Sequence, residues 1–482
     1  MQLIDLATPY ARLRPRMASA GPSPALEAAR LEAVRQLAQA FEKRCAATIG
    51  GRKWFSHFES WLWASRASTM LDAGPVPVVH GVADDDELLR KLVAAGVEEP
   101  EAISICKGLA EEARALTAKL QTASVALCKP GHAVRISCSP TAPLVTLTCG
   151  GVVVQCTAQH LEKLRLLFET TCARARSQAP TAARRLPRGK RRRRGVPSPS
   201  EPAAVGGLDF FAAPRDNGSA EPQRAAKRSR PASSAARSAR DAVADQSTSA
   251  SAAEPIGTDE AAFAASAFSC LARVLALQGG HEKAGGMQAA CPATFFDCLR
   301  RHFGVASELF ASPLNARFPT FCSAAADVDG AFGSVGSFFG AKPRRGAYLA
   351  NPPFSPLVVE AMAHRMARLL AVACRAAEPL TFVVVLPHWP DKRCWQALAT
   401  QRCMRANLLL PQQEHGYVEG GQWYQADQRW RPSNHDSSVI LLQSDEAAAT
   451  LPLTPTVERA LRAAFQSICG QSKRYMRRQD II

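Results

Sequence analysis

The sequence holds 15 cysteines but no CxxC pair. Scattered thiols of this kind fit reduced side chains in an intracellular protein better than a disulfide frame or a zinc site. No metal is therefore expected. No run of about 18 or more apolar residues is present to span a bilayer, and the N-terminus lacks the apolar core of a signal segment, so no membrane partner is expected. A dinucleotide-type glycine fingerprint is also missing, which leaves any nucleotide-like ligand without its usual sequence mark. Acids are scarce: 42 Asp and Glu stand against 59 Lys and Arg, a net charge of +17. That balance favours an anionic partner, with nucleic acid the first candidate.

What is present is ordinary in bulk. Hydrophobic residues make up 47% and charged residues 21% of 482, enough for two or three soluble domains with a large core. A short tail (1–24) leads into a module over 25–174. Its text "PALEAARLEAVRQLAQAFEKRCAATI" has helical apolar spacing, and "WFSHFESWLWASR" follows as an aromatic-rich helix. The aromatics read either as a core stripe or, with Arg66, as rings lining a nucleic-acid site. Helices are predicted over 84–97 and 101–122. Then "AVRISCS", "LVTLTCG" and "VVVQCTA" read as a three-strand meander turned at Gly150 and Gly151, closed by the amphipathic helix "AQHLEKLRLLFETTC".

Residues 175–256 break the pattern. Their Pro, Ser, Ala and Arg text has no periodicity and too little apolar surface to offset the entropy of ordering. Residues 172–255 alone hold 17 Lys and Arg against 7 Asp and Glu. The runs Lys190 to Arg194 and Lys227 to Arg230 read as an import address, a phosphate-binding arm or a merely solvated linker. Over 257–470 helices alternate with apolar strands, among them "GAYLA", "LTFVVVLP", "ANLLLP" and "SSVILLQ". This order predicts an α/β fold with a parallel sheet and ligands at the carboxyl ends of its strands. A basic tail (471–482) ends the chain.

The stretch "YLANPPFSPL" (348–357) carries the chemistry. Two prolines stop a strand and leave a stiff turn with fixed carbonyl directions. An exocyclic amine on a base is a poor nucleophile, because its lone pair is delocalised into the ring. Two acceptors on its N–H groups would steer the lone pair out of the ring plane and take up charge during methyl transfer. Asn351 supplies one acceptor and the Pro352 carbonyl the other, Pro353 stiffens the turn, and Phe354 stacks on the presented base. As a bare tetrapeptide the motif also fits a plain turn. The donor is expected on Ser312, Pro313, Leu314 and Asn315 of "LFASPLN", with Asp329 of "DVDGAFGS" as an acid for a ribose, although both segments also read as ordinary turns.

In order and spacing, "FGVASELFASPLNARFPTFCSAAADVDGAFGS", "ANPPF", "FVVVLPHW", "LLLPQQEHGY" and "NHDSSVILLQSD" resemble the cap-specific adenosine N6-methyltransferases, the phosphorylated CTD interacting factor family. "KWFSHFESWLWASRAS" and the meander with its helix resemble that family's N-terminal module, so the likeness spans about 25–172 and 258–470. It implies a Rossmann-like class I methyltransferase domain preceded by a helical and β-meander module. It also implies methyl transfer from S-adenosylmethionine to N6 of the 2′-O-methyladenosine next to the messenger RNA cap, in the nucleus. Carried over, Asn351 to Phe354 hold donor and adenine, with Asn351 and Phe354 contacting both. Trp389, Glu414 and His415 fall on the substrate side, and Arg44 and Arg66 are placed on the cap side. Two departures stand out. Pro356 replaces a family carboxylate, and no counterpart of the WW domain is found, so binding of the polymerase tail through it is not expected. The rival readings are an amino-group methyltransferase on DNA adenine, ribosomal guanine or protein glutamine, and an RNA-binding protein with little catalysis.

Overall fold

The computed structural model describes residues 23–46, 48–49, 53–67, 86–127, 133–138, 144–178, 258–281, 288–420 and 430–466. The N-terminal tail before Ser23, the linker beyond Gln178 and the C-terminal tail lie outside them. Helix α1 (Pro24–Cys45) starts where Ser23 caps the Leu26 amide and Pro24 occupies the first helical position. Its Leu31, Val34, Leu37 and Phe41 are fully buried. They meet the aromatic face of α2 (Lys53–Ala67), where Phe41 lies 5.7 Å from Phe58 and 6.3 Å from Trp54. Trp54, Phe58 and Trp61 of α2 thus belong to the core and Phe55 packs against it, as the core-stripe reading has it for those rings. α3 (Asp86–Ala94) and α4 (Glu99–Leu127) match the two expected helices, the second extended by two residues at its start and five at its end.

The meander is present as β1 (Arg135–Cys138), β2 (Leu144–Cys149) and β3 (Val152–Thr157), antiparallel in that order. Gly150 and Gly151 turn it with φ of 56° and 83°, the left-handed pair that a two-residue hairpin turn requires. α5 (Ala158–Gln178) follows and extends four residues into the segment read as linker. Across the insert, α6 (Thr258–Leu277) returns to the first module, not to the second. Its Phe263, Phe268 and Leu271 share one core with Leu31, Val34 and Leu164. The domain boundary expected at 257 is therefore displaced. α6 is long and apolar enough to cross a membrane by composition (mean hydropathy 1.5), but most of it is buried in this core. Within it, Arg273 is fully buried and reaches Glu27 of α1 at 2.7 Å and Asp327 at 2.8 Å.

The second module begins with α7 (Ala293–Phe303). α8 (Ala326–Asp329) and a single 3-10 turn (Gly330–Phe332) precede β4 (Gly346–Ala350), α9 (Pro356–Arg375), β5 (Leu380–Pro387), α10 (Arg393–Ala399) and β6 (Met404–Leu410). A hairpin of β7 (Gly416–Val418) and β8 (Trp430–Pro432), then β9 (Ser437–Gln443), α11 (Asp445–Thr450) and α12 (Pro455–Gln466), complete it. The sheet order is β4-β5-β9-β6. Parallel bridges extend it past β4, from Leu349 to Glu308, from Glu308 to Phe321 and from Phe321 to Ser334. β5 alternates between two cores: Phe382, Val384 and Leu386 face α9, while Val383 and Val385 join the cluster of α7 and α12. Helices thus cover both faces, as an uninterrupted apolar strand demands.

The sheet is not wholly parallel. β9 runs antiparallel to β5 and to β6. Among the described residues no helix lies between β6 and β9, only the paired strands β7 and β8, so no crossover helix packs there to carry the chain back for a parallel return.

Asp329, the expected ribose acid, is 2% exposed and lies in the interior beside Ser323, where the Cys270 thiol donates to it at 3.7 Å. Burial pushes its carboxyl up to about 7. An unfolded Asp ionises near 3.8, so this contribution to stability is complete below that value and is lost as pH rises towards 7. We expect the melting temperature to fall between about pH 4 and pH 7, and Asp329→Asn to reduce that fall. An equal fall in wild type and variant would show that Asp329 is not a source of it.

Candidate active site

β4 delivers Asn351 to the carboxyl edge of the sheet. Pro352 and Pro353 end the strand because neither can donate to a ladder. The Ser355 amide then donates to the Pro353 carbonyl at 2.7 Å, and α9 starts at Pro356. This leaves the Pro352 carbonyl with no hydrogen bond from the described residues. Asn351 Nδ2 donates to the Ala289 carbonyl at 2.9 Å. A flipped amide would set two oxygens against each other, so this contact orients the side chain. Its Oδ1 is buried and has no partner among the described residues. An unpaired buried acceptor is costly in a finished core, but it is what a ligand donor would satisfy.

Asn351 borders a cavity that Ala290, Phe296, Glu308, Phe310 and Asn315, among others, also line. The expected donor loop helps to shape it. Asn315 Oδ1 accepts from the Ser312 amide at 2.7 Å, and Ser312 Oγ donates to Gln288 Oε1 at 2.6 Å. Pro313 is buried in the same loop, and Leu314 is packed into the first module's core. Lys163 of α5 donates to the Leu314 carbonyl at 2.8 Å, so the first module helps to hold this loop.

Glu308 is the residue that the sequence reading missed here. It is 5% exposed, and its Oε2 accepts from the Arg317 and Phe318 amides at 2.7 and 3.1 Å. Burial raises its carboxyl to about 7 against the pull of those amides. An acid inside the short strand "SELFAS" was the available signal.

On the other side of the turn, Phe354 meets three rings edge-on: Trp389 at 6.4 Å, Tyr417 at 6.1 Å and His435 at 5.9 Å. Trp389 is therefore brought to the motif as expected, with Lys392 Nζ 3.8 Å from its ring centroid, a cation–π distance.

The "EH" pair is not brought to the site. His415 is fully buried with both nitrogens used, Nδ1 on the Pro411 carbonyl at 2.7 Å and Nε2 on Ser437 Oγ at 2.8 Å. Tyr417 closes this chain on the same Ser437 hydroxyl at 2.8 Å. His415 thus braces the ring behind Phe354. Glu414 is exposed and accepts from Gln466 of α12 at 3.3 Å. The histidine facing the motif is His435, twenty residues on. Arg44 lies on the first module, bonded to the Ala40 carbonyl and packed on Gly108, and is not joined to the motif. The Arg66 side chain lies outside the described residues, and Asp329 does not line the cavity. No cluster of potential metal ligands occurs among the described residues.

The profile of the family described as "Phosphorylated CTD interacting factor 1 WW domain" matches residues 249–420. Within the described residues the match covers α6 to β7, helices and sheet strands of the fold described above. Two relatives are named mRNA (2′-O-methyladenosine-N(6)-)-methyltransferase. The Homo sapiens protein is 37% identical and the Mus musculus protein 36% identical over 184 residues, which is 38% of this chain and 26% of each relative. The chain thus aligns with about a quarter of the length of the curated relatives it matches. The resemblance read from the motifs therefore holds over the stretch that carries Asn351 to Phe354, which is similar in sequence to the phosphorylated CTD interacting factor family.

Proposed function

We propose that this protein transfers a methyl group from S-adenosylmethionine to N6 of the 2′-O-methyladenosine next to the cap of messenger RNA. The observation that carries the reading is the buried, unpaired Asn351 Oδ1 beside the free Pro352 carbonyl. Both acceptors sit at the end of β4, in the stretch that resembles enzymes named for that reaction. Capped mRNA is thus the proposed substrate and partner, and the nucleus the proposed location.

The strand arrangement supports a Rossmann-like class I domain. Counting the bridged segments at Glu308, Phe321 and Ser334 as strands one to three, the order across the sheet is 3-2-1-4-5-7-6, with strand seven reversed. In open sheets of this kind ligands bind beyond the strands' carboxyl ends. The donor, when bound, supplies an electrophilic methyl group. The lining residues suit the charged end of such a molecule in chemistry: Glu308 would offer a carboxylate oxygen to an ammonium group, with Asn315 and Asn351 lining the same cavity. Glu308→Gln keeps the shape but removes the charge. We expect donor affinity by calorimetry to fall about tenfold, the order of a single charge-assisted hydrogen bond. Unchanged affinity would remove Glu308 from the donor site.

Asn351 Oδ1 and the Pro352 carbonyl would accept the two N–H groups of the adenine amine and draw its lone pair out of conjugation. Phe354, braced by Trp389, Tyr417 and His435, would carry the flat base. The decisive experiment is mass spectrometry of RNA incubated with the protein and S-adenosylmethionine. RNA that is capped and begins with 2′-O-methyladenosine should gain one methyl group on N6, and uncapped RNA should gain far less. Equal methylation of both, or transfer to DNA adenine instead, would refute cap specificity. The Arg-rich linker is proposed as an import address or an electrostatic arm for RNA. Neutralising Lys190 to Arg194 should either keep a tagged protein out of the nucleus or flatten the salt dependence of RNA binding.

A further inference from the structure

Two buried side-chain atoms beside the NPPF turn have no partner among the described residues: Asn351 Oδ1 and His435 Nε2. The reaction proposed above uses the first. The second belongs to an imidazole whose ring lies 5.9 Å from Phe354 at an interplanar angle of 89°. The imidazole therefore lies in contact range of the ring on which a base would stack.

The ring's state follows from its neighbours. Nδ1 lies 2.8 Å from Asn434 Oδ1, an acceptor, a contact that favours the proton on Nδ1 and the lone pair on Nε2. The titratable groups around it are His415 and Tyr417 from the β7 side and Asp436 from its own loop, with Lys392 beyond Trp389. Tyr417 lies alongside it at 26° between planes, 6.5 Å away. Burial, and then His415, hold the imidazole below its ordinary 6.5, while Asp436 acts in the opposite sense. At neutral pH it is a buried, neutral acceptor.

The chemistry leaves such an acceptor a task. When the amine nitrogen takes the methyl group, its lone pair forms the new N–C bond and the S–C electron pair stays on sulfur. The nitrogen is then cationic and strongly acidic, and must lose one proton. A side-chain amide oxygen and a backbone carbonyl can accept hydrogen bonds but cannot hold that proton near neutral pH. We propose that His435 Nε2 contacts the amine of the target base and takes the proton that the methylated amine releases. The imidazolium passes it to water, and the neutral secondary amine and the thioether product leave. This rests on the methyltransferase reading of the same site.

The test compares wild type with His435→Gln, which keeps a hydrogen-bonding group but no base, on capped RNA beginning with 2′-O-methyladenosine. General-base removal costs about a hundredfold or more. We expect kcat to fall by that order with KM within about threefold, a loss confined to the chemical step. The wild-type rate should decline on the acid side of the ordinary imidazole value of 6.5, and the variant should lack this acid limb. Donor affinity by calorimetry should be unchanged, which shows that the site is still folded. Asn434→Ala is the second variant. It leaves the imidazole but frees Nδ1, so kcat should fall several-fold and the acid limb should move. Wild-type kcat and an unshifted acid limb in either folded variant would overturn the role of His435. If wild type binds no donor and methylates no amine substrate, the methyltransferase reading fails first and the role of His435 with it.

Discussion

Asn351→Ala should lower the methylation rate by about a hundredfold to a thousandfold, the loss of about 2.7–4 kcal/mol that follows removal of one preorganised acceptor or donor. The substitution removes Oδ1, the one unpaired side-chain atom on the motif, and with it the Nδ2 contact to the Ala289 carbonyl. The prolines and Phe354 are untouched, so the turn should persist and the melting temperature should change little. Initial rates on capped RNA and a thermal melt, measured on one preparation, check both halves. Full activity with a normal melt would end the two-acceptor mechanism. Asn351→Asp is informative beside it. A carboxylate keeps two acceptors but cannot donate to Ala289, so it should retain more activity than alanine while melting lower.

Arg273→Ala should cause the largest loss of stability in the molecule. The guanidinium is fully buried, with Nε and one Nη on Glu27 and both Nη on Asp327. Removing it leaves the buried Glu27 carboxylate with Arg30 as its remaining ion-pair partner among the described residues. Breaking a buried ion pair from one side typically costs about 3–5 kcal/mol. For a chain of this size that is a fall of several degrees or more in melting temperature. Arg273→Met paired with Glu27→Gln removes both charges and should recover part of the loss. A melt of the alanine variant within about two degrees of wild type would show that the cluster contributes little. The cluster joins α1, α6 and α8, so its loss should also loosen the loop that Lys163 holds.

The histidines show where sequence reasoning stops. His415 was favoured because it lies in a motif segment, yet both its nitrogens are spent inside the fold. His435, in the neighbouring "NHD" segment, reaches Phe354 because β9 returns antiparallel beside β5 and sets the preceding loop over the carboxyl edge. Nothing within a few residues of either histidine distinguishes them. Asp329 was misplaced for a similar reason: a Gly/Asp turn looks alike whether it faces a ligand or a buried thiol.

By itself the sequence determined what short-range chemistry controls. Two prolines after an apolar run stop β4 wherever the chain goes, Ser23 and Pro24 start α1, and two glycines turn the meander. Each depends on dihedral limits or hydrogen bonds within about four residues. The tertiary structure alone decided what distant segments do to one another. It sent α6 to α1 across the insert, because a helix apolar on most sides must be buried and its pattern names no partner. It reversed β9, and it buried Glu308 in the cavity while turning His415 inward and His435 towards Phe354. Those outcomes are set by which surfaces meet, and the free energy of that choice is spread over residues far apart in the chain.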